Sequence, residues 1–277
     1  MYGMPLRRAR PLLGTVVSIH IDDAALAPSQ AERAMSQAFD VIAHIGRVMS
    51  AHDTRSDLAR LSQADAHAVV TLDPHTVQVL RAAHYWQRLS RGAFNPSVAA
   101  ERLCARGQRP GLTRLPHASS GLHALELLSD TTVKLRHAIQ LDLGGIAKGY
   151  AVDQAIAVLQ QHGVTRALVN AGGDMRALGH KAWPVDVRHG HQNLMDVRMR
   201  SCQALQQQAL ATSVAAPVNP EFVQLRRFRK QVWHSVTVQA PDCMTADALT
   251  KWALQSSLLC PELRSALRQH QARMWRT

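Results

Sequence analysis

Apolar and β-branched residues crowd the stretch from Leu13 to Ile21, just after Pro11, and predict a strand. The spacing then lengthens. Met35, Phe39, Ile42, Ile45 and Met49 recur at three- and four-residue intervals, which predicts an amphipathic helix; Ser29 with Glu32 forms a capping-box pattern at its start. Asp73 and Pro74 read as N-cap and first-turn proline of a second helix, carried on by Val77, Leu80 and Ala83 and ended near Gly92. Residues 106–121 concentrate Gly, Pro and Ser and predict a long loop. Short apolar runs at Leu125–Leu128, Thr132–Leu135 and Ile139–Leu143 predict strands. A helix follows from about Ile146 to Gln161, stopped by Gly163. Further strands are predicted at Ala167–Asn170, Trp183–Arg188, Leu194–Met199 and Ser235–Val238, and helices at Met244–Leu258 and Pro261–Ala272. Strands and helices mix without strict alternation, so the expected class is α+β, with mixed sheets and packed helices.

Length adds a bound. A chain of 277 residues buries about 70–75% of its unfolded surface and needs no disulfide or metal to hold a core. The expected organisation is one domain over 1–277, built as a single body or as two intertwined lobes. The four cysteines, Cys104, Cys202, Cys243 and Cys260, form no C-x-x-C pair, which argues against a structural zinc site. No run of about 20 apolar residues is present, so no membrane span is expected, and the early arginines lack a signal-type apolar run, so the expected location is the cytoplasm. Charge is the outlier. With 32 Lys+Arg against 20 Asp+Glu the chain carries +12, which points to an anionic partner.

Two glycine-rich exits from strands carry the candidate chemistry. In Leu141-Asp142-Leu143-Gly144-Gly145-Ile146-Ala147-Lys148-Gly149-Tyr150 a strand turns on two glycines into a helix with a lysine in its first turn. The N–H groups and dipole of such a turn suit a phosphate, although neither a Walker A loop nor G-x-G-x-x-G is present. A tight turn with a solvated lysine is an equally good reading of the pattern alone. In Leu168-Val169-Asn170-Ala171-Gly172-Gly173-Asp174 a strand again meets paired glycines, which permits close backbone approach to a ligand or makes an ordinary Asn/Gly/Asp turn.

Together, Asp142–Asp153 and Val169–Asp174 resemble the ApbE family, the FAD:protein FMN transferases. Weaker matches follow in the family's order: Leu13-Gly14-Thr15, Met49-Ser50, the segment Gly92-Ala93-Phe94-Asn95-Pro96-Ser97-Val98, Ala211-Thr212-Ser213, Ser235–Val238 and Ala246-Asp247-Ala248-Leu249. The resemblance spans roughly residues 12–255 and implies an ApbE-like, T-fold-related architecture with FAD held between its lobes. It implies transfer of the FMN half of FAD to a Ser or Thr hydroxyl of a partner flavoprotein, with AMP released, or hydrolysis of FAD in some relatives. It also implies magnesium held by the Ala147 carbonyl, Asp247 and Thr250. Lys148 and Asp247 are the implied catalytic groups; Ser50, Asn95, Gly144, Gly145, Lys148, Asp153, Asn170, Gly172 and Gly173 are the implied FAD contacts.

Three departures stand out. Lys251 occupies the position where the family carries a threonine, and Thr250 precedes it; at about 100° per residue either can share a face with Asp247. Asn95 replaces an aspartate. Between Ser213 and Ser235 the family's H-I-I-D-P-x-T-G segment is missing, and Arg226-Arg227-Phe228-Arg229-Lys230 lies there instead. The competing class is a basic nucleic-acid binder, since residues 198–277 hold 11 Lys+Arg against 4 Asp+Glu. Aromatics at 4% and the lack of any helix-turn-helix, RRM or zinc-finger signature argue against it.

Overall fold

A computed structural model describes residues 5–97, 122–189, 198–201, 204–214, 235–257 and 260–276. A seven-stranded sheet runs in the order β1-β2-β6-β7-β10-β11-β12, antiparallel at every neighbouring pair. Its strands are β1 (Leu6–Leu12), β2 (Thr15–Ile21), β6 (Ala167–Ala171), β7 (Asp174–Leu178), β10 (Ala209–Val214), β11 (Ser235–Ala240) and β12 (Arg273–Arg276). One face carries helices. α4 (Ala147–Gln161) lies on β6 and β7, between α1 (Pro28–Val48) and α5 (Cys243–Leu254), and α5 covers β10 and β11. This is the helix-on-antiparallel-sheet layering of an α+β domain, as the mixed element order predicts.

Strand alternation divides the core. Val17, Ile19 and Ile21 of β2 and Ala167, Val169 and Ala171 of β6 face the helices and are buried. Leu168, Met175 and Leu210 join a smaller cluster with Trp183, Val185 and Leu205. The predicted stripe on α1 is buried at Met35, Phe39, Ile42 and Ile45. α3 (Pro74–Leu89) buries Val77, Leu80, Ala83 and Trp86 and starts at Asp73, whose side chain accepts the His75 N–H. Outside the main sheet, β3 (Val69–Thr71), β5 (Thr132–Leu135) and β4 (Leu125–Leu127) form a three-stranded sheet, and β8 (Asp186–His189) pairs with β9 (Arg198–Ser201). The sheet β3-β5-β4 is joined to the approach to α3 where the Leu72 N–H donates to the Thr131 carbonyl at 2.7 Å.

Several expectations are corrected. α1 begins at Pro28 with Ala27 as N-cap, so Ser29 stands inside the helix and caps nothing; the proline fixes the start. The first apolar strand starts at Thr15, because Leu13 and Gly14 (φ 56° and 70°) form the two-residue turn of a hairpin with β1. β1 itself escapes the sequence pattern: its arginines and Pro11 suit an edge strand, which one neighbour holds through seven paired residues. Ile139–Leu143 forms no strand. Ile139, Leu141 and Leu143 are buried as a strand's alternation would have them, but the segment is extended coil, fastened where the Asp142 N–H donates to the Pro96 carbonyl at 3.1 Å. α6 (Pro261–Gln269) stops three residues early and the chain returns as β12. The missed α2 (Asp57–Gln63) is capped by Ser56, whose hydroxyl accepts the Ala59 N–H. The predicted loop 106–121 and the basic run Arg226–Lys230 lie outside the described residues.

Candidate functional site

The two glycine-rich turns open at the same end of the structure, and α5 completes the site. Gly144 and Gly145 do not have positive φ. The first turn is closed by Asp142, whose Oδ1 accepts the Gly144 N–H at 2.9 Å. What Gly145 supplies is room: a Cβ there would stand 3.0 Å from Cγ of Lys251. Gly149 is more constrained, since a Cβ there would fall 2.3 Å from the carbonyl oxygen of Cys243. So α4 and α5 cross in backbone contact. The second turn is a two-residue hairpin between Ala171 and Asp174. Gly172 and Gly173 sit at φ 65° and 105°, and Asn170 Oδ1 accepts the Gly173 N–H at 2.9 Å.

These turns bring four charged side chains together. The Lys148 ammonium, in the first turn of α4, touches the carboxylate of Asp174 and lies 3.8 Å from Oδ2 of Asp247. The Lys251 ammonium lies 3.0 Å from Oδ1 of Asp247 and also donates to the Ser213 hydroxyl. Asp247 Oδ2 accepts the Gly149 N–H at 3.3 Å, one of the first-turn donors that α4 cannot satisfy internally. Thr250 is fully buried; its hydroxyl donates to the Asp247 carbonyl at 2.7 Å and lies 2.7 Å from the Ser213 hydroxyl.

Electrostatics separate the members. Burial would push the Asp247 carboxyl up, but Lys251 and Lys148 outweigh it and hold the group below the usual carboxylate range. The Asp174 carboxyl is pushed up to about 6 by burial and by the Asp247 charge, which Lys148 and Lys251 only partly offset. Burial works against a charged Lys148, yet Asp247 and Asp174 keep it firmly protonated. The acids are sealed, with side chains 0% and 1% exposed, while Lys251 and Lys148 keep 28% and 30%. A molecule arriving from solvent therefore meets the lysine side chains before the carboxylates.

Of the residues expected at the site, Lys148, Asp247 and Thr250 meet in this cluster, with Gly144, Gly145 and Ala147 in the adjoining turn. Asn170, Gly172 and Gly173 form the hairpin next to it. Asp153 is engaged elsewhere. Its Oδ1 accepts from Arg176 at 2.8 Å and from the Cys243 N–H at 2.9 Å, and its Oδ2 accepts the Met244 N–H at 2.8 Å. Those bonds fasten α4 to the start of α5 and leave the carboxylate committed within the fold. Ser50 accepts the His52 and Asp53 N–H groups at 3.1 Å each, as a turn cap. Asn95 caps its own turn through the Ser97 N–H, in the segment hydrogen-bonded to Asp142. Sequence reading passed over Asp174 and Ser213 as site residues. The signal for Asp174 was its place as the first residue after the glycine pair.

The donors fit a divalent cation poorly. Asp247 already faces two ammonium groups, the Thr250 hydroxyl is committed inward, and hard cations take about six oxygen ligands. Among the described residues, no three His, Cys, Asp or Glu side chains form a group able to hold a metal. A concavity of about 190 Å³ lined by Leu6, Ile21 and Glu32 lies at the other end of β2, where Ile21 pairs with Ala167.

The family model for ApbE matches residues 13–216, most of the chain and both glycine turns. The chain belongs to the ApbE family. Among ApbE-type relatives, the FAD:protein FMN transferase of Treponema pallidum is 29% identical over 210 residues, covering 66% of this chain and 58% of that protein. The one from Klebsiella pneumoniae is 26% identical over 174 residues, covering 58% and 53%. The match thus spans little more than half the length of these relatives. Among solved structures, the flavin transferase ApbE from Vibrio cholerae superposes with a TM-score of 0.79 at 20% identity, covering 99% of this chain and 93% of that one. The ApbE protein of Thermotoga maritima gives 0.74 at 22% identity, covering 99% and 94%. The likeness establishes the ApbE fold. Among the described residues, no helix is long and apolar enough to cross a membrane.

Proposed function

We propose that this ApbE protein is an FAD:protein FMN transferase. Its substrates are FAD and a flavoprotein with a Ser or Thr acceptor. The observation that carries this reading is the convergence of both glycine turns on one cluster, in which Lys148 and Lys251 stand toward solvent over the buried Asp174 and Asp247. Two fixed ammonium groups suit a pyrophosphate, and phosphoryl transfer needs chiefly positioning and charge neutralisation.

In this reading the acceptor hydroxyl oxygen attacks the phosphorus of the FMN half. The bond from that phosphorus to the bridging oxygen breaks, AMP leaves with the bridging oxygen, and the hydroxyl proton passes to solvent. Lys148 and Lys251 hold the non-bridging oxygens, and Asp247 and Asp174 hold the two lysines in place. The names of the relatives support the choice of substrate. Magnesium, which the resemblance implies, gains no support from the donor set.

The test is incubation with FAD and a candidate acceptor protein, followed by intact-mass analysis and AMP quantification. An acceptor heavier by one FMN, with equimolar AMP, is the expected outcome. Free FMN and AMP in equal amounts, with the acceptor unchanged, would replace transfer by hydrolysis. Unchanged FAD would sink both.

A further inference from the structure

Three observations meet at Lys251. Its ammonium lies 3.0 Å from Asp247 Oδ1, one helical turn along α5, and reaches Ser213 as well. Its stem runs past Gly145, where a Cβ would come within 3.0 Å of Cγ, so the first glycine turn leaves space for this side chain. The charges of the cluster also balance. Asp174 and Asp247 face Lys148 and Lys251, two negative against two positive. A divalent cation at Asp247 Oδ1 would have to displace the Lys251 ammonium, and the Thr250 hydroxyl is turned inward.

We infer that the Lys251 ammonium takes the place of a divalent cation in this protein, so that FAD's pyrophosphate is held by Lys148 and Lys251 without magnesium. A lysine supplies a compact point charge with three donors, which matches phosphate oxygens without a metal's coordination demands. Asp247 then serves as an anchor for ammonium groups rather than as a metal ligand. This inference rests on the proposed handling of FAD for its substrate, but its metal half is independent of activity.

The experiment has two arms on the full chain. Magnesium alone is titrated by calorimetry into wild type, Lys251→Thr and Asp247→Asn. Wild type should give no saturable heat through the millimolar range, and Lys251→Thr should gain a saturable site. Saturable magnesium uptake by wild type that Asp247→Asn removes would overturn the inference. In the second arm, FAD binding is followed by flavin fluorescence in EDTA and in magnesium. Wild type should bind equally in both. Lys251→Met, which keeps the stem, should bind at least about tenfold more weakly, with no rescue by magnesium. A tenfold loss of wild-type FAD affinity in EDTA would also overturn the inference. Absence of FAD binding under every condition would instead remove the proposed function, and the magnesium titration would still decide the role of Lys251. Circular dichroism confirms that each variant is folded.

Discussion

Asp153, largely covered, and Asp247, fully buried, are carboxylates on facing helices, and each reaches across to the first turn of the other's helix. Asp153, on α4, accepts the Cys243 and Met244 N–H groups of α5. Asp247, on α5, accepts the Gly149 N–H of α4. The arrangement is reciprocal, and each acid gains from the positive end of the helix it meets. They differ in counter-charge. Asp153 takes Arg176 and spends both oxygens inside the fold. Asp247 takes two lysines that keep contact with solvent. The same residue type therefore fastens two helices in one place and fixes a cationic surface in the other. A buried carboxylate becomes available for chemistry through what its partners face.

Substitutions can break that contrast. Asp153→Ala should have the largest effect on stability, about 3–5 kcal/mol, because it strands Arg176 and two backbone donors. Urea denaturation checks it, and a loss below 1 kcal/mol would remove the fastening role. Asp247→Asn should cut AMP release about 100-fold or more while costing less stability than Asp153→Ala, as expected when preorganised charge is removed. Activity within a few-fold of wild type would contradict the assignment.

Acidity offers a third probe. Burial pushes the Asp153 carboxyl up to about 6, against an ordinary value of 3.8. The folded state then binds the proton more tightly than the unfolded chain, so this group's contribution falls as pH rises from about 4 through 6. The stability of wild type relative to Asp153→Asn should therefore drop by on the order of 2–3 kcal/mol between pH 4 and pH 7, read from denaturation midpoints across that range. A flat difference would show that the three hydrogen bonds outweigh the burial. The smallest effect belongs to Gly173→Ala. Space around Gly173 is open but its φ is 105°, so the cost should be about 1–2 kcal/mol, from backbone conformation alone. A loss of FAD affinity beyond what that strain explains would place the open face of the hairpin against the ligand.

The frame of this molecule was legible where one face is buried. The stripe on α1, the cap of α3 and the alternation in β2 and β6 each follow a period that burial enforces. β1 and β12 were not legible because edge strands need little apolar content, and both carry arginines. Ile139–Leu143 misled for the converse reason: it has a strand's burial pattern but joins none of the described sheets. At the site, the glycine pairs marked the right places, yet for different reasons. Gly173 answers a demand of backbone angle, which local sequence signals; Gly172 answers that demand and also the approach of Thr15, whose Oγ1 a Cβ would meet at 2.4 Å. Gly145 and Gly149 answer the approach of α5, distant in the sequence, which no local pattern encodes. Asp174 and Ser213 were hidden for the same reason, since their meaning depends on lysines brought in by α4 and α5.

The contact at Gly149 has a mechanical consequence. Where helices cross through side chains, a soft layer can shear and let one slide along the other. Here the backbone of α4 rests on the carbonyl of Cys243, and the reciprocal carboxylate bonds lie on either side. The two helix starts are therefore held together through their backbones, which sets Lys148 beside Asp247 of α5. The carboxylate that both ammonium groups face is thus set in place by folding, before any anion arrives.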